Sequence, residues 1–253
     1  MDAVQLRRLL AAVKRGGVDV DEAARRLAGL STEDLGFAKL DHQRAVRRGQ
    51  PEVVFGQGKA KTHLLTIVER FARRGAPTLV TRLEPALGEE LLARWPAGRW
   101  NEVGRAFFLP GLGRKARPRP GLLIVSAGTA DLAVAEEAAA TAEALGLAPD
   151  RLYDAGVAGL HRLLEQGERL RRARVVIVVA GMEGALPSVV AGLIAAPVIA
   201  VPTSVGYGAA LHGFTALLGM LTSCAAGVTV VNIDNGYGAA AAAHLILSAS
   251  RRR

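Results

Sequence analysis

Three things are scarce in this sequence: cysteine, aromatic rings and, over its last third, charge. A single cysteine, Cys224, excludes an intrachain disulfide framework and every metal site built from several cysteines. His42, His63, His161, His212 and His244 fall at no metal-ligand spacing, so a histidine-rich metal site is not expected either. Aromatic residues make up 4% of the chain and no nucleic-acid motif accompanies them, which argues against a nucleic-acid partner. Pro187, Pro197 and Pro202 interrupt the most hydrophobic region before it reaches the ~20 residues of a membrane span, so no membrane partner is expected. The start, Met1 to Arg8, is charged and amphipathic and has no apolar secretion segment; a cytoplasmic location is the expectation.

What charge there is lies unevenly. Residues 1–120 carry 23 basic and 13 acidic side chains, residues 121–253 carry 9 and 10. The basic excess is therefore N-terminal, a field that attracts polyanions, nucleotide phosphates among them. Between Val175 and Ser250 the only carboxylates are Glu183 and Asp234, and no lysine or arginine occurs. A solvated surface needs more charge than that. The expectation is a core sheet whose outer helices are covered by further copies of the chain.

Half of the 253 residues are hydrophobic, enough for a sizeable core. From residue 121 onward, short apolar runs alternate with alanine-rich helical stretches. Strands are predicted at 121–126, 151–154, 174–179, 197–201 and 228–233. Helices are predicted at 132–145, 159–171, 187–195, 211–224 and 238–248. Repeated β-α units of this length imply an α/β fold, a three-layer parallel sheet covered on both faces. The first 120 residues read as a smaller, basic α/β region with helices near 3–14, 20–28, 59–73 and 85–94. Its strands are predicted at 52–55 and 78–81, and an irregular segment at 35–41. The basic, proline-rich stretch at 115–120 divides the two, giving domains 1–118 and 119–253.

In parallel sheets ligands sit beyond the carboxyl ends of the strands, so the loops there are the candidate site. Ser126, Gly128, Thr129 and Asp131 follow the first C-terminal strand; small residues and hydroxyls at a helix start suit a phosphate, and Asp131 suits sugar hydroxyls or base chemistry. Equally, Thr129 or Asp131 could simply cap the helix. Gly181, Met182 and Glu183 follow the most apolar strand, and a carboxylate in that setting suits acid–base work. Gly236 to Ala241 matches G-x-G-x-x-A, but no acidic residue follows Asp234, so a dinucleotide dehydrogenase is rejected. Gly56-Gln57-Gly58-Lys59 suits either an anion or a tight turn. Cys224 continues the apolar stripe of Phe214, Leu217, Leu218 and Leu221, where packing is the commoner use of a cysteine. A reactive thiol at a helix C-terminus would need positive charge from another subunit or from the substrate.

Read together, these loops resemble the aminoimidazole ribonucleotide carboxylase/mutase (PurE) family. The carriers are Ala180-Gly181-Met182-Glu183-Gly184-Ala185-Leu186-Pro187, then Pro197 to Pro202, Leu211-His212-Gly213 and Ala226-Gly227-Val228. The match covers about 121–250. It departs at Ala185, where the purine enzymes have their catalytic histidine, and in the first loop, where only Asp131 remains. Over nearly its full length the chain looks like the LarB family, pyridinium carboxylase/hydrolases of nickel-pincer nucleotide biosynthesis. That likeness rests on the PurE-like half with Glu183 and Cys224, on Thr203 to Gly208, and on Gly36 to Arg44 and Glu52 to Lys59.

The LarB resemblance implies carboxylation of nicotinic acid adenine dinucleotide with carbon dioxide or bicarbonate as co-substrate, Mg(II) assistance, release of AMP and a homo-octamer. It implies Cys224 as nucleophile with Glu183 or Asp131 as base. Ser126, Gly128, Thr129, Gly181, Met182, Ser204, Gly206, Tyr207 and His212 would bind the substrate, with its phosphate-ribose groups on loops 126–131, 181–184 and 204–208, and the basic N-terminal half would hold the rest of the dinucleotide. Two rivals are purine-pathway carboxylation of aminoimidazole ribonucleotide and a non-catalytic nucleotide- or RNA-binding protein.

Overall fold

Charge order accounts for the first two helices. Helix α1 (Ala3–Lys14) ends on Lys14, while α2 (Val20–Ala28) starts with Asp21 and Glu22 and finishes with Arg25 and Arg26. Each sign stands at the helix end whose partial charge it complements. The computed structural model describes residues 3–28, 32–44, 50–112 and 117–249, so Lys115 and Ala116 of the predicted join lie outside the described residues. The chain divides into two compact units, Met1–Arg99 with Phe107–Gly113 and Trp100–Ala106 with Arg114–Arg253.

In the first unit, the segment expected to be irregular forms a hairpin. Strand β1 (Thr32–Asp34) pairs antiparallel with β2 (Lys39–Asp41), and the Gly36 N–H donates to the Asp34 carboxylate at 2.8 Å to close the turn. Strand β3 (Val53–Phe55), helix α3 (Lys61–Arg73), strand β4 (Thr78–Thr81) and helix α4 (Pro85–Arg94) lie where the pattern predicts them. Strands β3 and β4 are parallel, and α3 crosses between them with Leu64, Ile67, Val68 and Phe71 on its buried face. The Gly56–Lys59 segment is a tight turn whose Gly56 N–H donates to the Thr81 carbonyl at 2.8 Å. Strands β5 (Arg99–Asn101) and β6 (Ala106–Leu109) lie outside the predicted elements; Arg99-Trp100-Asn101 has no apolar run to signal a strand. The sheet order is β3-β4-β6-β5.

The second unit continues with β7 (Arg119–Ser126), α5 (Leu132–Ala144), β8 (Leu147–Leu152), α6 (Leu160–Leu164), α7 (Gly167–Arg172) and β9 (Val175–Ala180). It finishes with α8 (Leu186–Leu193), β10 (Val198–Pro202), α9 (Phe214–Leu221), β11 (Val228–Val230) and α10 (Gly236–Ala249). The five strands are all parallel, in the order β11-β10-β9-β7-β8. This is the doubly wound order 2-1-3-4-5 read from the other edge. Strand β9 is apolar throughout because both of its faces are covered. Val175, Ile177 and Val179 pack with alanines of α5 and α10, whereas Val176, Val178 and Ala180 pack toward α6 to α9.

Four predicted elements need correction, one being the strand expected at 228–233, which ends at Val230. The helix expected at 159–171 breaks between α6 and α7, and the strand expected at 151–154 runs from Leu147 to Leu152. The helix expected at 211–224 is shorter: Leu211 and His212 take left-handed backbone, and only α9, from Phe214 to Leu221, is helical. Its apolar residues Phe214, Leu218 and Leu221 are exposed, and Ala216 and Met220 are the buried ones. Cys224 is thus in a loop rather than on a helix face. The G-x-G-x-x-A match serves helix packing: a Cβ on Gly236 would overlap the Val134 carbonyl and lie 2.9 Å from the Ala138 nitrogen. Glu137 meets the N-terminus of α10 there, its carboxylate accepting from the Tyr237 N–H at 3.3 Å.

Candidate active site

The chain leaves β7 toward β8 on one side and later returns to pair β9 on the other. The carboxyl ends of β7 and β9 therefore flank the point where the strand order reverses, the usual ligand position in such sheets. The loop after β7 carries residues 127–131 and the loop after β9 carries 181–184.

Asp131 sits where these loops meet. Its side chain is 4% exposed and both oxygens are engaged. The Thr203 hydroxyl donates to Oδ1 at 2.7 Å, and the Gly128 N–H donates to Oδ2 at 2.9 Å. Burial pushes the Asp131 carboxyl above its ordinary range, opposed by donors from Thr203, Gly128 and the Gly181 backbone, with the Asp234 carboxylate adding to the rise. Gly181 must be glycine: a Cβ there would overlap the Val205 carbonyl and lie 2.7 Å from Thr203 Oγ1. The Met182 N–H donates to that same Val205 carbonyl at 3.0 Å. Asp234, after β11, accepts from the Ser204 N–H at 2.8 Å and donates its own N–H to the Pro202 carbonyl at 2.8 Å. Four strand-end loops are joined by one set of hydrogen bonds.

The remaining predicted residues divide by exposure. Ser126 is buried, and its hydroxyl accepts from the Asp154 N–H at 3.3 Å, so it serves the fold. Gly128 is half-buried and Thr129 exposed. Glu183, Ser204, Gly206, Tyr207 and His212 are exposed, as is Met182. Met182 and His212 hold left-handed backbone, φ 52° and 53°, a conformation non-glycine residues keep where surrounding structure demands it. The loop of Glu183 lies against α9, since a Cβ on Gly219 would press into the Glu183 carbonyl oxygen. Five residues further on, Cys224 is exposed. Its loop is anchored by Ser223, whose Oγ accepts from the Ser188 hydroxyl at 2.7 Å and from the Ala225 N–H at 3.3 Å. Sequence reasoning gave no role to Thr203 or to Gly219. The one available signal was a hydroxyl residue placed directly after an apolar strand ending in Pro202.

Among the described residues no group of three or more His, Cys, Asp or Glu side chains is placed to hold a metal ion, so these residues do not fit a resident magnesium cage. Among them, too, no helix is long and apolar enough to cross a membrane.

The family model for the LarB/PurE-like N-terminal domain matches residues 32–110, and that for AIR carboxylase matches residues 122–253. The chain belongs to the LarB family. An uncharacterised protein of Methanocaldococcus jannaschii is 38% identical over 250 residues, which cover 95% of this LarB-family chain and 96% of that protein. The N5-carboxyaminoimidazole ribonucleotide mutase of the same organism is 36% identical over 132 residues, 50% of this chain and 78% of the mutase. A crystal structure of a Treponema denticola PurE2 variant matches with a TM-score of 0.37 at 19% identity, covering 53% of this chain and 93% of that one. The PurE-like half of the LarB-family chain is thus the half that carries Asp131, Glu183 and Cys224.

Proposed function

We propose that this LarB-family protein carboxylates the pyridinium ring of nicotinic acid adenine dinucleotide and hydrolyses its phosphoanhydride. The products are pyridinium-3,5-biscarboxylic acid mononucleotide and AMP, the former destined for a nickel-pincer cofactor. The observation that carries the reading is the pairing of a LarB-type N-terminal domain with an AIR carboxylase domain whose single cysteine is exposed.

A pyridinium ring is electron-poor and does not attack carbon dioxide. When the Cys224 thiolate adds para to the ring nitrogen, a carbon–sulfur bond forms and a ring electron pair moves onto nitrogen. The resulting enamine is nucleophilic at its free meta carbon, which bonds to carbon dioxide. A carboxylate then takes the proton from that carbon, with Glu183 and Asp131 as candidates. The carbon–sulfur bond breaks, the thiolate leaves and aromaticity returns. Hydrolysis adds water across the phosphoanhydride and frees AMP. The phosphate-ribose portion lies along loops 126–131, 181–184 and 204–208. Magnesium in this reading travels with the substrate's phosphates, and no step is routed through it. The exposed apolar side chains of α9, in a region almost without charge, support burial against further copies in a homo-octamer.

The 36% identity to the M. jannaschii mutase supports a second reading, purine-pathway carboxylation. Ala185, at the place of the purine enzymes' histidine, weighs against it. Mass spectrometry after incubation with bicarbonate and either substrate separates the two. AMP with a doubly carboxylated pyridinium mononucleotide is expected, and carboxylation of aminoimidazole ribonucleotide alone would overturn the proposal.

A further inference from the structure

We propose that Thr203 is a positioning residue that clasps Asp131 and so fixes the three substrate-binding loops of the site, which makes Asp131 part of that frame rather than the base. The inference rests on the reaction proposed above and divides the roles that it left open between two carboxylates.

Enclosure comes first. Thr203 is 0% exposed and Asp131 4%, and each Asp131 oxygen already has a donor. A general base must come within hydrogen-bond reach of the proton it removes. Asp131 is enclosed, so a substrate proton would reach it only if the loops around it parted. Glu183, on the neighbouring loop, is exposed and is not bound by this constraint.

Connectivity is the second ground. The donors to Asp131 come from three different loops: Gly128 after β7, Gly181 after β9 and Thr203 after β10. Gly181 also packs its backbone onto Thr203 Oγ1 and the Val205 carbonyl, so the loop after β9 follows the position of Thr203. The next residue, Ser204, is held by Asp234. One buried hydroxyl thus lies at the centre of the loops that carry Thr129, Glu183 and Tyr207. Valine matches threonine in shape and lacks the donor, so Thr203→Val removes the clasp with little change in bulk.

The test uses the full-length protein with Thr203→Val, Thr203→Ser, Asp131→Asn and the double variant T203V/D131N. In steady-state turnover of nicotinic acid adenine dinucleotide with bicarbonate, T203V should raise KM about tenfold or more while kcat falls less. Glu183→Gln should show the reverse split, and T203S should return KM to within about threefold of wild type. In equilibrium unfolding, T203V and D131N should be non-additive by about tenfold in the unfolding constant, as direct partners are. Unchanged KM in T203V, a T203S variant as impaired as T203V, or a D131N variant that loses kcat at unchanged KM would each overturn the assignment. If T203V does not fold, Thr203→Cys, a poor donor at the same place, replaces it. If the wild type does not turn over the dinucleotide, the substrate reading fails. The clasp is then judged on the unfolding cycle alone, where additivity refutes it.

Discussion

An alanine at Gly219 sets two physical effects against each other. Gly219 lies inside α9, and glycine in a helix interior costs about 1 kcal/mol relative to alanine. Local propensity therefore predicts that Gly219→Ala stabilises the protein. The structure predicts the opposite, because the new Cβ would press into the Glu183 carbonyl oxygen, inside the 3.0 Å that Cβ contacts keep. Neither partner is a flexible side-chain end: one is backbone, the other is fixed to a helix. Overpacking of this kind costs roughly 1–3 kcal/mol, so the net change is a loss of about 0–2 kcal/mol. The greater effect falls on geometry. The loop or the helix must shift by more than half an ångström to restore a 3.0 Å contact, and misplacement by about 1 Å can cost ~100-fold in rate. Turnover should therefore drop about tenfold while the unfolding midpoint moves only slightly. Chemical denaturation and carboxylation assays on the same preparation measure both. A variant that is more stable by about 1 kcal/mol and fully active would refute the close approach of the Glu183 loop to α9.

Other outcomes are as specific. Cys224→Ser should abolish carboxylation while leaving the unfolding transition in place; normal product formation would remove the covalent step. Glu183→Gln should slow turnover at least about tenfold with the dinucleotide still binding by calorimetry, and an unchanged rate would reassign the base. Leu218→Glu, on the outward face of α9, should reduce the mass measured by analytical ultracentrifugation from that of a large oligomer; a monomeric wild type would contradict the interface. Burial, and then the neighbouring Arg119 guanidinium, hold the His244 imidazole below its ordinary range. The unfolded chain therefore takes up that proton first, and stability should fall as pH drops below about 6.5. His244→Gln should flatten this part of the pH–stability curve, and a parallel curve would show that His244 does not drive it.

The parallel-sheet half was most legible at β9 and β10, which are apolar and buried throughout, and least at β8, whose Asp150 and Arg151 break the apolar run. Gly181 to Glu183 could be placed at a strand end for the same reason. Cys224 was misplaced because apolar spacing continues past Leu221, whereas the helix does not; Thr222 already caps it. An apolar stripe signals burial, and it does not say whether the protomer's own sheet or another copy supplies the cover. The short strands β5 and β6 left no periodic trace.

Composition and order alone determined that this chain would form an α/β sheet and which residues would stand at its strand ends, since periodicity and loop residues are local properties. Partnership was not local. That Asp131 and Thr203, 72 positions apart, share a hydrogen bond depends on β10 lying two strands from β7, and only the completed sheet brings their ends together. The same holds for Gly219 and Glu183, whose contact exists because one helix lies against one loop, a closeness that neither segment encodes by itself.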